Sequence, residues 1–353
     1  MPERPASTLT VMLAPAGVMY GLIMSARNAL YDLGIFKTWH APVPVVSVGN
    51  ITTGGTGKTP LVDWIVKFYH KHGKRVAIVS RGYGRRTKGA LLVSDGSRML
   101  LGSRDAGDEV AMLAARNPSA IVVVAEKRRE GVELIMREFA GRMPEVIVLD
   151  DAFQHRAIAR DLDIVVINAQ EPFGGGRLLP AGRLREPLAG LERSELFILN
   201  KITDERQAAA IARELKPLGK PIVLARIGSG ALVGTGGSGD NGKNHRTRAL
   251  AFAGIGAPEG FMRSLREADI EIAEYRIFRD HQPFTADSVR AIVADSRRLG
   301  LVPVTTEKDW FRIRDDRKLA GMLTEAGCRY LTIETVFIEG REILENRLLE
   351  ILN

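Results

Sequence analysis

Gly57-Lys58-Thr59, at the end of "VGNITTGGTGKTP", is the part of this chain best suited to grip a phosphate. Gly54, Gly55 and Gly57 leave the backbone free to curl its N–H groups around oxygen atoms. Lys58 offers a cation to β- and γ-phosphates, and the Thr59 hydroxyl offers an oxygen to Mg2+. Thr52, Thr53 and Thr56 fill out the loop. The strict pattern G-x-x-x-x-G-K-[ST] wants a glycine where Thr52 stands, but doubled Gly54-Gly55 compensates, as in G-G-x-G-K-[ST] variants. A β-branched strand precedes the loop, and the helix opening at Lys58 presents its anion-favouring end. A chance Gly-rich turn explains that context poorly. The loop reads as a nucleotide site.

Carboxylates and arginines are the next candidates. In "PEVIVLDDAFQHR", four apolar residues lead into Asp150-Asp151, where a strand end can present a carboxylate to Mg2+ beside the loop threonine. The spacing does not separate the two aspartates, and His155 reads as a loop histidine. "SRDAGDEVAML" puts Asp105, Asp108 and Glu109 at a helix start. Acids there complement the helix dipole; the chemical alternative is a general base for an attacking hydroxyl. Arginines cluster in "SRGYGRR" (Arg81, Arg85, Arg86), "EKRREG" (Arg128, Arg129) and "GGGRLLPAGRLREP" (Arg177, Arg183, Arg185). Each cluster follows an apolar strand, the edge at which open α/β sheets bind ligands, and Arg forks match phosphate. "LNKITD" differs in spacing from the guanine-reading N-K-x-D and reads as a strand end. Further on, His281 in "RIFRDHQPF" is a candidate proton-handling residue. Thr305, Glu307 and Lys308 in "PVTTEKDWFR" are candidates to line a base pocket.

These motifs sit on alternating strand and helix patterns, which predict an α/β fold: a P-loop-type, mostly parallel sheet with helices on both faces. Strands are expected over 43–48, 75–80, 120–125, 146–150, 163–168, 195–200 and 221–227, with helices over 58–72, 108–116, 127–140 and 205–215. The Gly/Ser/Asn-rich run 228–245 reads as a linker or exposed hairpin. A smaller C-terminal α/β pattern follows it. The expected division is an N-terminal helix over 1–34, a P-loop core over 35–227, a Gly-rich connection over 228–246 and a second domain over 247–353.

The 353 residues carry a net charge of +8 and one cysteine, Cys328, so no intrachain disulfide exists. The basic balance favours phosphorylated or anionic partners. Residues 9–26 are apolar but broken by Pro15, Gly17 and Gly21, short of the roughly 20 continuous apolar residues that span a bilayer. Ser25, Arg27, Asn28 and Asp32 gather on one side of this helix, with Val18, Leu22, Ile23, Ala26, Leu30 and Leu33 on the other. Such a helix either packs on its own domain or rests in one leaflet.

Taken in order, "VGNITTGGTGKTP", "SRGYGRR", "AGDEVAML", "LDDAFQHR", "GGGRLLPAGRLREP", "FAGIGAPEGF", "FRDHQPF" and "VTTEKD" resemble the tetraacyldisaccharide 4'-kinase family, the lipid A 4'-kinases of Gram-negative bacteria. The likeness covers nearly the whole chain and is weakest in the Gly-rich run. It implies ATP- and Mg2+-dependent phosphorylation of the 4'-hydroxyl of an acylated glucosamine disaccharide 1-phosphate, giving a lipid A precursor. By position, the resemblance makes Asp108 the base, coupled to His281. It assigns Asp150, Asp151 and Glu186 to Mg2+, and puts Arg128 and Tyr83 near the substrate or the transferring phosphate. Arg81, Arg177 and Arg185 become candidate substrate contacts. The implied setting is the cytoplasmic face of the inner membrane, with the N-terminal helix in that leaflet and the protein a monomer.

Two other classes share some of these features. A membrane-associated switch ATPase would use the same loop and helix, but it does not predict the arginine clusters. A nucleic-acid-binding ATPase suits the charge, yet aromatics make up only 6% of the chain and no basic-aromatic interleaving is present. No nucleic-acid partner is expected.

Overall fold

A computed structural model describes residues 8–236, 247–280 and 282–352. Helix α1 (Thr8–Asp32) precedes β1 (Val45–Gly49), the glycine-rich loop and α2 (Lys58–Lys71). Next come β2 (Val76–Ser80), β3 (Leu91–Asp95), the single turn α3 (Ser103–Ala106), α4 (Asp108–Arg116) and β4 (Ile121–Val124). Then follow α5 (Arg128–Glu138), β5 (Val146–Asp150), β6 (Leu162–Asn168), β7 (Leu196–Asn200), α6 (Glu205–Leu215) and the long β8 (Ile222–Gly234). Beyond residue 247 lie β9 (Arg248–Ala253), α7 (Pro258–Glu267), β10 (Glu271–Ile277), α8 (Ala286–Leu299) and β11 (Val302–Thr306). The chain continues through α9 (Glu307–Ile313), α10 (Arg317–Glu325), β12 (Arg329–Glu339) and α11 (Arg341–Glu350).

The strands form one twelve-stranded sheet in the order β10-β9-β11-β12-β8-β7-β6-β1-β5-β2-β4-β3. Pairing is parallel except between β3 and β4 and between β8 and β12. This is the mostly parallel α/β architecture that the strand–helix alternation predicts. Strands β1, β2, β4, β5 and β7 are buried along their whole length, which is why they read as unbroken apolar runs rather than alternating ones. β1 lies between β5 and β6, with Val48 opposite Asp150. The glycine-rich loop and the paired aspartates therefore leave adjacent strand ends on the same sheet edge, where ligands of open α/β sheets bind.

One expectation changes. Residues 228–234 of the Gly-rich run, expected as linker or exposed hairpin, form the second half of β8, laddered antiparallel to β12 from Gly228↔Glu334 to Gly234↔Arg329. Glycine serves close approach there. A Cβ at Gly230 would fall 2.3 Å from the Thr332 hydroxyl oxygen, and one at Gly228 would fall 2.5 Å from Val336 Cγ2. Residues 237–246 lie outside the described part. The sequence pattern also gave no hint of β3 or β10, the two edge strands: β10 is exposed along nearly its whole length, and β3 is a short, partly buried strand ending in Ser94-Asp95.

α1 docks by its polar and glycine face. Arg27 Nη2 donates to the Gln154 carbonyl at 2.8 Å, Asn28 Nδ2 to Glu186 Oε2 at 2.9 Å, and Tyr20 Oη to the Arg185 carbonyl at 2.7 Å. Arg156 reaches back to the Asn28 carbonyl at 2.9 Å and to Asp32 Oδ1 at 2.6 Å. Glycines on this face let the helix lie close: a Cβ at Gly17 would fall 3.1 Å from Ala181 Cβ, and one at Gly21 would fall 2.6 Å from Leu178 Cδ1. The apolar side is left outward: Met12, Leu22 and Ile23 are 74%, 67% and 59% exposed. Among the described residues no helix is long and apolar enough to cross a membrane.

Candidate active site

The glycine-rich loop is held from several sides. Gly54 and Gly57 take positive φ angles of 105° and 86°, which L side chains rarely adopt. Asn50 Nδ2 donates to the Thr52 carbonyl at 2.8 Å and to Thr56 Oγ1 at 3.3 Å. Across the loop, Asn200 Nδ2 reaches the Thr56 carbonyl at 3.2 Å and the Gly57 carbonyl at 3.4 Å, and Lys201 Nζ reaches the Gly55 carbonyl at 2.6 Å. The arginine-rich segment before Pro187 braces the other flank. Thr53 N donates to the Arg183 carbonyl at 2.7 Å, Arg185 N donates to the Ile51 carbonyl at 2.8 Å, and Thr52 bridges Leu184. With its carbonyls pinned from outside, the loop beyond Thr53 keeps its N–H groups for an anion at the start of α2.

The two aspartates differ. Asp150 is buried and accepts from Ser80 Oγ at 2.7 Å. Burial, with Asp151 adding like charge, pushes its carboxyl up to about 6. For Asp151 burial also acts upward, but Lys58 at 3.3 Å and Arg185 at 2.8 Å overcome it and hold the carboxyl well below the usual carboxylate range. Thr59, Asp150 and Asp151 all face one cleft of about 2200 Å³. Hydroxyl and carboxylate oxygens are the donor set that Mg2+ prefers, and it takes only one or two carboxylates when substrate phosphates supply the rest. Among the described residues no three His, Cys, Asp or Glu side chains form a cage by themselves.

The opposite wall begins at α4. Its first residue, Asp108, lines the cleft and accepts from Arg312 Nε at 3.0 Å. Its second, Glu109, accepts from Thr59 Oγ1 at 3.3 Å and from Lys308 Nζ at 3.1 Å. Burial would raise the Glu109 carboxyl, yet Lys308, Lys58 and the Thr59 hydroxyl together lower it, so it stays ionised. At the far end of α4, Arg116 Nε donates to Glu307 Oε1 at 2.8 Å, and Nη1 donates to Asp63 Oδ2 at 3.0 Å and to the Ile333 carbonyl at 2.9 Å. Burial would lower Arg116, but the flanking Glu307 and Asp63 carboxylates outweigh it and raise the guanidinium. α4 is thus clamped between the P-loop helix and the strand–helix turn that ends β11.

The remaining candidates divide between the cleft and the frame behind it. Arg81, Tyr83 and Arg185 line the cleft, and Tyr83 is 77% exposed. His155 lines it too, pushed down to about 3 by burial and by the Arg128 and Arg81 charges, and is therefore neutral. Arg128 is buried behind the cleft. Its fork donates to the carbonyls of Ala125 at 2.8 Å, Asp150 at 2.7 Å and Asp151 at 3.2 Å. Burial brings that guanidinium down to about 10, still cationic at neutral pH. Glu186 is also buried, its carboxylate shared among Asn28 at 2.9 Å, Gln154 at 2.9 Å and Arg193 at 2.8 Å, outside the cleft lining. Arg177 and Thr305 do not line the cleft, whereas Thr306, Glu307 and Lys308 do. His281 lies outside the described residues. The sequence takes Asn200 and Lys201 only as a strand end and Glu109 only as one of three helix-start acids; it gives no sign of Arg312, whose partner Asp108 lies 204 residues away.

Comparison with known proteins identifies the family. The family model for Tetraacyldisaccharide-1-P 4'-kinase matches residues 9–353. A tetraacyldisaccharide 4'-kinase of Chlorobaculum tepidum is 63% identical over 342 residues, 97% of each chain. Another, of Chlorobaculum parvum, is 61% identical over 352 residues, 100% of this chain and 97% of that one. Among solved structures, the "apo" form LpxK from Aquifex aeolicus in complex with ATP is similar at a TM-score of 0.77 and 31% identity, covering 98% of this chain and 100% of that one. A phosphate loop facing a carboxylate across one cleft is the apparatus such a kinase requires, and the match runs almost end to end: the chain belongs to the tetraacyldisaccharide-1-P 4'-kinase family.

Proposed function

We propose that this chain transfers the γ-phosphoryl group of ATP to the 4'-hydroxyl of a tetraacyldisaccharide 1-phosphate, a step of lipid A biosynthesis. One observation carries the reading: Thr59 at the start of α2 touches Glu109 at the start of α4, at 3.3 Å. That contact brings Asp108, the neighbour of Glu109, to the rim of the phosphate loop. Phosphoryl transfer asks a protein mainly for position and charge, and here the loop amides and Lys58 take the phosphates while Asp108 receives the proton of the sugar hydroxyl. Thr59, Asp150 and Asp151 would hold Mg2+, which when bound neutralises charge on the phosphate oxygens. Arg128 fixes the backbone of both aspartates from behind. Arg81, Tyr83 and Arg185 are the residues we assign to the acceptor side.

We further infer that the outward apolar side of α1 rests in the cytoplasmic leaflet of the inner membrane, so that an acylated acceptor need not leave the bilayer. The inverted packing supports this: a helix held to its own protein by Arg27, Asn28 and Tyr20 has its leucines and isoleucines free for another medium. The protein acts as a monomer, with residues 35–227 and 247–353 as its two functional units. The test is incubation with Mg-ATP labelled at the γ position and an acylated disaccharide 1-phosphate in detergent. Label on the lipid at the 4' oxygen is expected; phosphate release without labelled lipid would favour a switch ATPase.

A further inference from the structure

Arg312 stands between Asp108 and the second half of the molecule, and no role in the chemistry described so far falls to it. Its Nε donates to Asp108 Oδ2 at 3.0 Å. Its Nη1 donates to the Gly254 carbonyl and to Asp309 Oδ1, both at 3.2 Å. Asp309 is itself fixed, accepting from Gly254 N at 3.0 Å and from Thr306 Oγ1 at 2.7 Å. The guanidinium is therefore anchored on the β9 end and on α9, with its remaining edge turned to the N-terminus of α4. Both side chains of the Arg312–Asp108 pair are largely buried, at 13% and 17% exposure, so solvent screens them little.

We propose that Arg312 is a positioning residue for phosphoryl transfer: it orients the Asp108 carboxylate toward the acceptor hydroxyl and ties that orientation to the placement of the 254–257 loop. Ile255, Gly256 and Ala257 of that loop line the cleft, so Arg312 joins this part of the cleft lining to the base. Its geometry suits the task. Nε and Nη2 of a guanidinium share one edge, and Nη2 is buried with no partner among the described residues. The edge facing Asp108 thus has a second N–H in reserve, able to hold a carboxylate that turns as the hydroxyl proton leaves. A lysine could supply charge but not that fork.

This inference rests on Asp108 being the base, and the experiment separates the two ideas. Steady-state transfer to the acylated disaccharide 1-phosphate is measured for Arg312→Met, Arg312→Lys, Asp108→Asn and the double variant Asp108→Asn/Arg312→Met, with ATP-analogue affinity and melting temperature alongside. Arg312→Met should lower kcat about 10- to 100-fold, part of the roughly 10²- to 10⁴-fold span of a general base, with ATP-analogue affinity within about threefold. Arg312→Lys should recover part of the loss. The double variant should match Asp108→Asn alone within about threefold, because a residue acting only through Asp108 has nothing further to lose. Independent, multiplying losses in the double variant, or near-normal kcat in Arg312→Met, would overturn the proposal. If Asp108→Asn itself kept full activity, the base assignment would fall instead. Should Arg312→Met unfold, Arg312→Gln in the same cycle replaces it.

Discussion

The two walls of the cleft are built by different means. The P-loop wall is local: β1, the glycine-rich loop and α2 are consecutive, and the loop carbonyls are pinned by Asn50, Asn200 and Lys201 at the ends of the buried strands β1 and β7. The facing wall is assembled from remote pieces. Asp108 with Arg312, Glu109 with Lys308 and Arg116 with Glu307 join residues 204, 199 and 191 positions apart. The first wall is rigid because its strands are covered on both faces. The second depends on ion pairs between two halves of a sheet that meet at the antiparallel β8–β12 seam. Phosphate gripping can be stored in one stretch of chain, but placement of Asp108, the base we propose, needs both halves.

Breaking the local wall should cost most. Lys58→Ala removes the cation from the phosphates and releases Asp151 from its 3.3 Å partner, so turnover should fall about 10³-fold. Radiolabel transfer checks it, and near-normal turnover would contradict the loop assignment. Breaking the remote wall away from the chemistry should appear first in stability. Arg116→Ala leaves the buried Glu307 and Asp63 carboxylates without their shared cation, a loss of about 3–5 kcal/mol in urea unfolding. A change under about 1 kcal/mol would mean the α4 clamp is not structural.

Acid sharpens the contrast between the aspartates. Asp150, raised to about 6, takes up a proton as pH falls through that value, while Asp151 keeps its charge. The apparent Mg2+ affinity in turnover should therefore fall below about pH 6, roughly tenfold per unit at the limit of one proton per metal. For stability the sign is opposite to that of a salt-bridged acid. Between the ordinary carboxylate range and about pH 6 the folded state keeps a proton that the unfolded chain has released, so the contribution of Asp150 declines as pH rises through that window. Titration of Asp150→Asn should lose both effects, and an unchanged profile would reject them. The smallest effect on fold and detergent activity belongs to α1. Leu22→Glu with Ile23→Glu should leave stability within about 1 kcal/mol while reducing partition onto anionic vesicles at least about tenfold. Undiminished partition would remove the leaflet assignment.

The local wall was legible in the sequence because its signals are short-range. An apolar β-branched run, clustered glycines and G-K-T suffice to place Lys58 and Thr59, and Asp150-Asp151 declare themselves at a strand end. Residue type does not say which side of a strand end a polar group takes. Arg128 and Glu186 were expected at the reacting groups, yet both lie behind the cleft as buried struts bonded to carbonyls and amides. Thr305 and Thr306 are adjacent, but the strand alternation turns only Thr306 to the cleft. The Gly-rich 228–234 segment looked like linker because strand propensity is weak in glycine, and only the β12 ladder reveals its role. Spacing put Arg27 and Asn28 on the side of α1 that docks, but it also put Ser25 there, which is exposed, and Leu30 opposite, which is half-buried; the docking side is fixed by contacts such as Asn28–Glu186, not visible from one helix alone.

The most direct test of the convergence of the two walls is single-turnover transfer from bound Mg-ATP to the acylated acceptor by Asp108→Asn, with nucleotide affinity measured on the same sample. A transfer rate about 10²- to 10⁴-fold slower at unchanged nucleotide affinity is the predicted result. Transfer at the unsubstituted rate would contradict it, because the carboxylate facing the phosphate loop would then have no part in taking the proton.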